Sequence, residues 1–310
     1  MSIVLRHPGV ASVLAIFAMA ACQSVSPGAG PTGSLPGSPP AADVSGTEAF
    51  VRADTLARFS EASSLSISND GVLWVADRGA GTVVRLDAGG NRSLAPLQTR
   101  QPVAVDATVG LRLIVADESE GSIDVLGREG NLIRRMRVPA EAGSSESDAP
   151  QEYLDDRALG AAAGGRPVDL AALPGSGLVA LEGFGGFLAF WDESGRLVRT
   201  VSEIGGRTLR ANRLAASGRE VAVLEWEQAS VHLFDHLGTI ASTIVPMEFP
   251  LAVAYDGEEL WTADRLAIRR LSASDPIVIP HGAGLGVVDL VVTPDAVYLL
   301  TARWLLRLPR

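Results

Sequence analysis

The chain contains no lysine, and its single cysteine and four histidines leave few residues for covalent or metal chemistry. All 26 basic residues are arginines, so a Schiff-base lysine and the phosphate-binding lysine of a P-loop are both excluded. One cysteine excludes an intramolecular disulfide, which a core built from a chain of 310 residues does not need. Acidic residues number 36, for a formal charge of −10, and this balance disfavours nucleic acid as a partner.

An apolar run over residues 10–21 follows a short positive region at the N-terminus. It is shorter than the roughly 20 residues of a membrane-spanning helix and matches the about 7–15 residues of a signal-peptide core. The run ends in MAAC, which resembles the bacterial lipobox, although Met19 stands where leucine is usual. The resemblance implies a signal peptide over 1–21 and a lipid anchor on Cys22; the alternative is ordinary signal-peptidase cleavage that leaves a bare cysteine.

Residues 22–46 are rich in proline, glycine, serine and alanine and have too little apolar surface to fold. They predict a flexible tether between the lipid and a folded domain over 47–310. A GxGxxG match at residues 28–33 has no strand before it and no helix after it, so a dinucleotide site is excluded. Gln23 follows the cysteine, and resemblance to proteobacterial sorting then implies the outer membrane. We expect a monomer in the bacterial cell envelope, facing the periplasm or the surface.

A short apolar strand that ends in an acidic residue recurs through the rest of the chain. The copies LWVAD, LIVAD, LVALE, VAVLE and LWTAD end at Asp77, Asp117, Glu182, Glu225 and Asp264, and a sixth, VYLLT, ends at Thr301. The spacings are 40, 65, 43, 39 and 37 residues. With an insertion of about 25 residues in the second interval, the period is about 40, the length of one four-stranded propeller blade.

The units also share a four-residue turn. DAGG, GREG, DESG and DHLG close at Gly90, Gly130, Gly195 and Gly238, and a terminal glycine is what a type I turn followed by a left-handed residue requires. The units resemble the NHL repeat, which runs P-x-G-I-A-V-D, then D-G-x-I-Y-V-A-D, then a third strand. QPVAVD with LIVAD, and NDGVLWVAD, are the best matches. The resemblance covers about residues 50–310, weakest in units four and six, and implies a six-bladed β-propeller without indicating an activity.

The sixth unit contributes only three strands before Arg310, whereas the segment 49–59 precedes the first unit and belongs to none. We therefore predict an all-β fold, a six-bladed β-propeller whose N-terminal strand completes the last blade. Such closure removes the unpaired edges of an open sheet. The alternative, a solenoid of five or six repeats, leaves 49–59 unexplained.

The end of the second strand and the start of the inner strand lie on the same face of a propeller. The five repeated acids are therefore predicted to ring one face, termed the acidic face: Asp77, Asp117, Glu182, Glu225 and Asp264. The insertion 140–165 joins blades two and three on this face, either as a rim or lid helix or as a disordered hairpin. The repeated acids also have a structural interpretation, as carboxylates that accept backbone N–H groups and hold the turns.

Asp169 and Asp289 interrupt this repetition, because each lies at the start of an inner strand, with Arg213 at the equivalent place in blade four. Two carboxylates at a channel mouth could bind a hard cation such as calcium. Gluconolactonase-like propellers, which are similar in architecture, hold a central divalent metal with acid and amide residues of their inner strands. The other equivalent positions carry neither acid nor amide: Ser64, Pro102 and Ala252. Two acids beside an arginine are more typical of a salt-bridge network.

Two functions remain open at this point. The first is a non-catalytic scaffold, without a cofactor, that binds a protein, peptide or glycan of the envelope through the acidic face, Asp169, Arg213 and Asp289. The alternative is a metal-dependent hydrolase of the lactonase or esterase class with Asp169 and Asp289 as ligands. No GxSxG or HExxH motif occurs, and His232 and His236 straddle a strand and its turn, which disfavours a zinc site.

Overall fold

The computed structural model describes residues 53–310 with gaps at 88–89, 96, 98, 108–111, 128, 143–164, 184–185, 245–249, 272–277 and 281–285. The described residues belong to one compact unit, Glu48–Arg310. The predicted signal peptide, Cys22, the linker and most of the insertion 140–165 lie outside the described residues. In the part of the chain that is described, no helix is long and apolar enough to cross a membrane.

The described residues form six four-stranded antiparallel sheets, and each sheet is one blade. Blade 1 contains β2 (Ala62–Ile67), β3 (Leu73–Asp77), β4 (Thr82–Leu86) and β5 (Arg92–Leu94). Blade 2 contains β6 (Pro102–Asp106), β7 (Leu113–Asp117), β8 (Ser122–Leu126) and β9 (Leu132–Arg137). Blade 3 contains β10 (Pro167–Ala172), β11 (Leu178–Glu182), β12 (Phe187–Trp191) and β13 (Leu197–Val201).

The second half of the ring has the same order of strands. Blade 4 contains β16 (Arg213–Ala216), β17 (Val221–Glu225), β18 (Ser230–Phe234) and β19 (Ile240–Ile244). Blade 5 contains β20 (Ala252–Asp256), β21 (Glu259–Ala263), β22 (Ala267–Arg270) and β23 (Val278–Pro280). Blade 6 contains β24 (Val287–Val292), β25 (Ala296–Thr301), β26 (Trp304–Pro309) and, from the N-terminus, β1 (Asp54–Arg58).

A few described elements lie outside the blades. A hairpin of β14 (Glu203–Ile204) and β15 (Arg207–Thr208) interrupts the connection from blade 3 to blade 4. Single 3₁₀ turns occupy Arg78–Ala80, Pro174–Ser176 and Trp226–Gln228.

Burial follows the position of a strand within its blade. All five residues of β6 and of β7 are buried, because both faces of these first and second strands pack against neighbouring blades. The outermost strand of blade 4, β19, is exposed at four of its five positions. The buried apolar side chains of the described residues form six clusters, one between each pair of adjacent blades. The core is therefore a ring of blade interfaces rather than a single central layer.

The N-terminal strand closes the ring as predicted. β1 pairs antiparallel with β26, with Asp54 opposite Arg307 and Arg58 opposite Trp304. The cluster between blades 6 and 1 includes Leu65 of β2 and Leu305 of β26. Because the two ends of the domain pair, blade 6 has four strands like the other blades, which confirms the six-bladed fold.

The glycine turns are also as predicted. Gly90, Gly130, Gly195 and Gly238 have φ values of 77°, 78°, 81° and 77°, in the left-handed region that favours glycine. The N–H of Gly238 donates to the carbonyl of Asp235 at 3.0 Å, and the other three glycines donate in the same way at 2.9 Å. The third and fourth strands of blades 1 to 4 are thus joined by equivalent turns.

Candidate functional site

One position of each inner strand defines a ring around the propeller axis. In each blade, the strand register pairs this position of the inner strand with the penultimate residue of the repeated motif on the second strand. The six members form the axial ring: Ser64, Ala104, Asp169, Arg213, Ala252 and Asp289. The spacing-based assignment of Pro102 to blade 2 was wrong, because the register of β6 against β7 skips one residue between Pro102 and Ala104.

Charge is distributed unevenly around the axial ring. Asp169 and Asp289 belong to blades 3 and 6, which are opposite in a ring of six, and Arg213 belongs to blade 4, next to Asp169. Serine and alanine occupy the other three positions. The sequence placed these three charged residues at equivalent positions, and the structure brings them together at the centre of the propeller.

Arg213 reaches across the axis to two other blades. Its Nε donates to the carbonyl of Val288 in blade 6 at 2.8 Å, and Nη2 donates to the carbonyl of Ser63 in blade 1 at 3.4 Å. Nη1 donates to the carbonyl of Asn212 at 3.1 Å. The guanidinium is therefore held in a fixed plane by backbone carbonyls of three blades.

Both axial carboxylates accept backbone N–H groups. Asp169 accepts from its own strand, at Leu170 (3.0 Å), and from the next blade, at Leu214 (2.8 Å). Asp289 accepts from Leu290 (2.8 Å) and from Leu65 in blade 1 (2.6 Å). Each carboxylate thus joins its own inner strand to the inner strand of the following blade.

Burial shifts the titration of both carboxyl groups. It raises the pKa of Asp169 to about 7; Arg213 opposes this shift, whereas the charge of Asp289 adds to it. Burial also raises the pKa of Asp289, again opposed by Arg213 and by the backbone N–H of Leu65. Asp169 is 5% exposed, whereas Asp289 and Arg213 keep part of their surface open to solvent. Asp289 and Arg213 are consequently the more exposed of the three charged axial residues.

Other inner-strand oxygens join the blades in the same way. The N–H of Val105 in blade 2 donates to Ser64 Oγ at 3.2 Å, and the N–H of Ala172 in blade 3 donates to an oxygen of Asp106 at 2.7 Å. Asp106 was not singled out from the sequence, because it lies at the end of the inner strand PVAVD and is not one of the repeated acids. Side-chain oxygens near the axis therefore hold adjacent inner strands together at several blade interfaces.

The repeated acids of the acidic face are buried and bonded to backbone. Asp77 accepts from the N–H groups of Ser60 and Glu61, and Glu182 accepts from that of Arg166. Burial alone would raise the pKa of Asp117, but hydrogen bonds from Ser119 and from backbone N–H groups lower it. All five acids are at most 5% exposed: Asp77, Asp117, Glu182, Glu225 and Asp264.

These contacts explain why the acid recurs. In blades 1 to 4 the carboxylate accepts from the connection that leads into its own inner strand, and in blade 5 Asp264 instead accepts from Leu266 and Ala267 in the turn to β22. Each acid consequently fixes one turn or connection of its blade. The carboxylates lie at or directly after the ends of the second strands and are buried.

Glu225 forms a buried network that the sequence did not indicate. Its Oε2 lies 3.0 Å from His232 Nε2, which is also 3.2 Å from Ser230 Oγ, and His232 Nδ1 lies 2.9 Å from Thr243 Oγ1. The serine and the carboxylate contact the same imidazole nitrogen, whereas in a nucleophilic triad they contact different ones. His232 therefore links strands of blade 4.

The axial residues do not fit a divalent metal. Among the described residues, no group of three or more His, Cys, Asp and Glu side chains is close enough to hold an ion. Calcium takes 6–8 oxygen ligands, and the axial ring offers two carboxylates, both hydrogen-bonded to backbone. A fixed guanidinium between blades 1, 4 and 6 supplies positive charge at the same place.

The acidic face also carries a shallow cavity of about 550 Å³ between blades 1 and 2. Its lining has one acidic and two basic side chains, Glu61, Arg78 and Arg100, with Gln101 and the segment Gly79–Gly81. Arg78 donates to Glu118 at 2.7 Å and lies 3.6 Å from Glu61. The cavity is therefore polar and away from the axis.

Comparison with solved structures shows the same fold in several enzymes. Virginiamycin B lyase from Staphylococcus aureus matches with a TM-score of 0.59 and 11% identity, over 84% of this chain and 99% of that one. A catalytically inactive histidine-to-alanine variant of that enzyme, with quinupristin, matches with a TM-score of 0.57 and 14% identity, over 80% of each chain. A gluconolactonase from Xanthomonas campestris matches with a TM-score of 0.62 and 13% identity, over 84% of this chain and 89% of that one. No protein-family model and no curated sequence matches the chain.

Proposed function

We propose that the protein is a small-molecule hydrolase or lyase whose reaction centre is the mouth of the axial channel. The observation that carries the proposal is the asymmetric charge of the axial ring, where Asp169, Arg213 and Asp289 occupy three of six otherwise equivalent positions. Repeated features serve the repeated blades, whereas a reaction centre requires a local departure from the repeat. The structural neighbours that are lactonases and lyases support an enzyme over a pure scaffold.

The three residues have complementary roles in this proposal. Asp289, which is partly exposed, acts as the base that removes a proton from water or from a carbon next to a carbonyl. Arg213 stabilises the negative charge that develops on the carbonyl oxygen. Asp169 is buried, and its charge acts on Arg213 without a direct hydrogen bond between their side chains. Opening of a cyclic ester by water and by elimination both require this pair of a base and a cation, and neither step is routed through a metal.

The proposal places this activity in the cell envelope. A signal peptide, a lipid on Cys22 and the tether 22–46 would hold the propeller at the outer membrane, as the sequence predicts. The insertion 140–165, which the sequence predicts to join blades 2 and 3 on the acidic face, would then lie on the same face as the reaction centre. Radiolabelled palmitate incorporation that is lost in Cys22→Ala tests the anchor independently of the activity.

The experiment uses glucono-1,5-lactone and quinupristin as probes. Product masses distinguish the two reactions, because hydrolysis adds the mass of water and elimination leaves the mass unchanged. We expect Asp289→Asn to lower kcat by roughly 10²–10⁴ and Arg213→Lys to lower it by about 10². Asp124→Asn is the matched control, because Asp124 pairs with Arg135 on the outer part of blade 2. Equal turnover by wild type and Asp289→Asn, above the uncatalysed rate, would refute the assignment.

A non-catalytic binding role is the second candidate, favoured by the polar cavity at Arg78 and Arg100. In this case a protein, peptide or glycan would bind the acidic face between blades 1 and 2. Pull-down from envelope extracts compares wild type with Arg78→Ala and with Asp289→Asn. A partner that is lost only with Arg78→Ala, together with no turnover of either probe, would favour the scaffold over the enzyme.

A further inference from the structure

The guanidinium of Arg213 lies in a cluster of oxygen atoms contributed by four blades. It donates to the backbone carbonyls of Asn212, Val288 and Ser63 at 3.1, 2.8 and 3.4 Å. The carboxylates of Asp169 and Asp289 act on it electrostatically, since Arg213 is the strongest charge lowering the pKa of each. Three carbonyl oxygens and two carboxylates are the types of ligand that a hard cation prefers.

Two of these oxygens belong to residues that bulge out of the regular strand ladder. Ser63 and Val288 are the residues at which the registers of β2 and β24 skip one position. A bulged residue is left out of the regular ladder, so its carbonyl is free to bond elsewhere. In both blades this carbonyl accepts from Arg213, so bulges in two blades converge on one cation.

The charges around this point also favour a bound cation. Asp169 and Asp289 carry two negative charges when both are ionised, and Arg213 supplies one positive charge between their blades. Removal of the guanidinium would leave the carboxylates of Asp169 and Asp289 and the three carbonyl oxygens of Asn212, Val288 and Ser63 without their cation. Such a cage would have the oxygen donors of a calcium site, with water completing the coordination.

We infer that Arg213 is a built-in cation that takes the place of a divalent metal in the axial oxygen cage, and that removing it creates a calcium site. The wild-type cage is therefore closed to calcium. This inference concerns the identity of the axial cation and does not depend on the proposed reaction, so a failure to find enzymatic activity leaves it intact.

Calcium binding to folded protein tests the inference without an activity readout. Arg213→Ala is expected to bind calcium with a Kd in the range of about 10⁻⁴–10⁻³ M. At about 10 mM calcium its Tm should rise by about 3–5 °C. Wild type and Arg213→Lys, which retain a cation, should show neither effect. Arg199→Ala is the matched control, since Arg199 also donates to a carbonyl, that of Leu237, away from the axis.

Two further variants assign any new site to the cage. Asp169→Asn and Asp289→Asn in the Arg213→Ala background should each weaken calcium binding at least tenfold. If Arg213→Ala is unfolded without metal, recovery of its β-sheet circular dichroism by about 10 mM calcium is the supporting result. The inference is overturned if Arg213→Ala binds no calcium, whether it is folded or fails to recover. Tight calcium binding by wild type that requires Asp169 and Asp289 would overturn it as well.

Discussion

Replacement of Asp169 by asparagine tests the charge balance at the centre of the propeller. The charged groups that act on Asp169 of β10 are Asp289 on β24 and Arg213 on β16. Burial raises the pKa of Asp169 from 3.8 to about 7, with Asp289 adding to the shift and Arg213 opposing it. The folded protein should therefore bind a proton at Asp169 more tightly than the unfolded chain does.

The sign and size of the effect on stability follow from this difference. Because the folded state retains the proton up to a higher pH, the stabilisation that Asp169 contributes is complete below about pH 4 and is lost as the pH rises to about 7. One pKa unit corresponds to about 1.36 kcal/mol, so the loss from this carboxyl is roughly 4 kcal/mol across that window. For a domain of this size, that is a decrease in Tm of roughly 8 °C.

Asp169→Asn should remove this dependence, because an amide does not ionise. At low pH the variant should be less stable than wild type, because a single amide oxygen replaces the two oxygens that accept from the N–H groups of Leu170 and Leu214. We expect it to be less stable than wild type by about 1–3 kcal/mol near pH 5, where one backbone N–H loses its acceptor. The difference should shrink or reverse by pH 8, where wild-type Asp169 is ionised.

Urea unfolding followed by tryptophan fluorescence, at intervals between pH 5 and pH 8, measures both curves. Asp124→Asn controls for the general effect of the substitution, because Asp124 pairs with Arg135 away from the axis. Its curve should run parallel to that of wild type. If Asp169→Asn and wild type lose stability with the same slope over this range, the charge balance described for the axial ring is incorrect.

Two matched pairs of substitutions test the fold. Gly238→Ala should lower the free energy of unfolding more than Gly90→Ala, since both glycines have φ of 77° but only at Gly238 would a new Cβ meet a neighbour, the Phe190 ring at 2.9 Å. We expect about 1–2 kcal/mol of backbone strain in both variants and about 1–3 kcal/mol more at Gly238. Equal Tm values for the two variants would contradict the clash. Leu305 is fully buried between blades 6 and 1, so Leu305→Ala should lower the free energy of unfolding by about 2–5 kcal/mol. Leu94 is 60% exposed, so Leu94→Ala should change the free energy of unfolding by less than about 0.5 kcal/mol. A small loss for Leu305→Ala in urea unfolding would show that blade closure contributes little.

Much of the architecture could be predicted because it repeats along the chain. The acid at the end of each second strand recurs at a spacing near 40 residues, and the structure shows that Asp77 and Glu182 use it to hold equivalent connections. The unassigned segment 49–59 predicted the closing strand β1, because one blade lacked its fourth strand. Such features follow from local residue patterns and from the number of strands in each unit, and both can be read from a single sequence.

The candidate site could be predicted only in part. Asp169 and Asp289 stand out in the sequence because neighbouring repeats have no acid at that place. The assignment of Pro102 failed, because a bulge shifts the register by one residue and spacing does not reveal bulges. The hairpin β14–β15 and the buried contact of Glu225 with His232 were also missed, since neither belongs to the repeat.

The sequence was sufficient to identify the blades, their number and the residues at the ends of their strands, because strand period and turn chemistry act within about ten residues. The arrangement at the axis depended on the closed ring. Arg213 bonds to Ser63, 150 positions away in the chain, and to Val288, 75 positions away. Contacts at such separation arise from ring closure and strand register together. The sequence therefore located Arg213, whereas the carbonyl groups that hold its guanidinium became visible only in the tertiary structure.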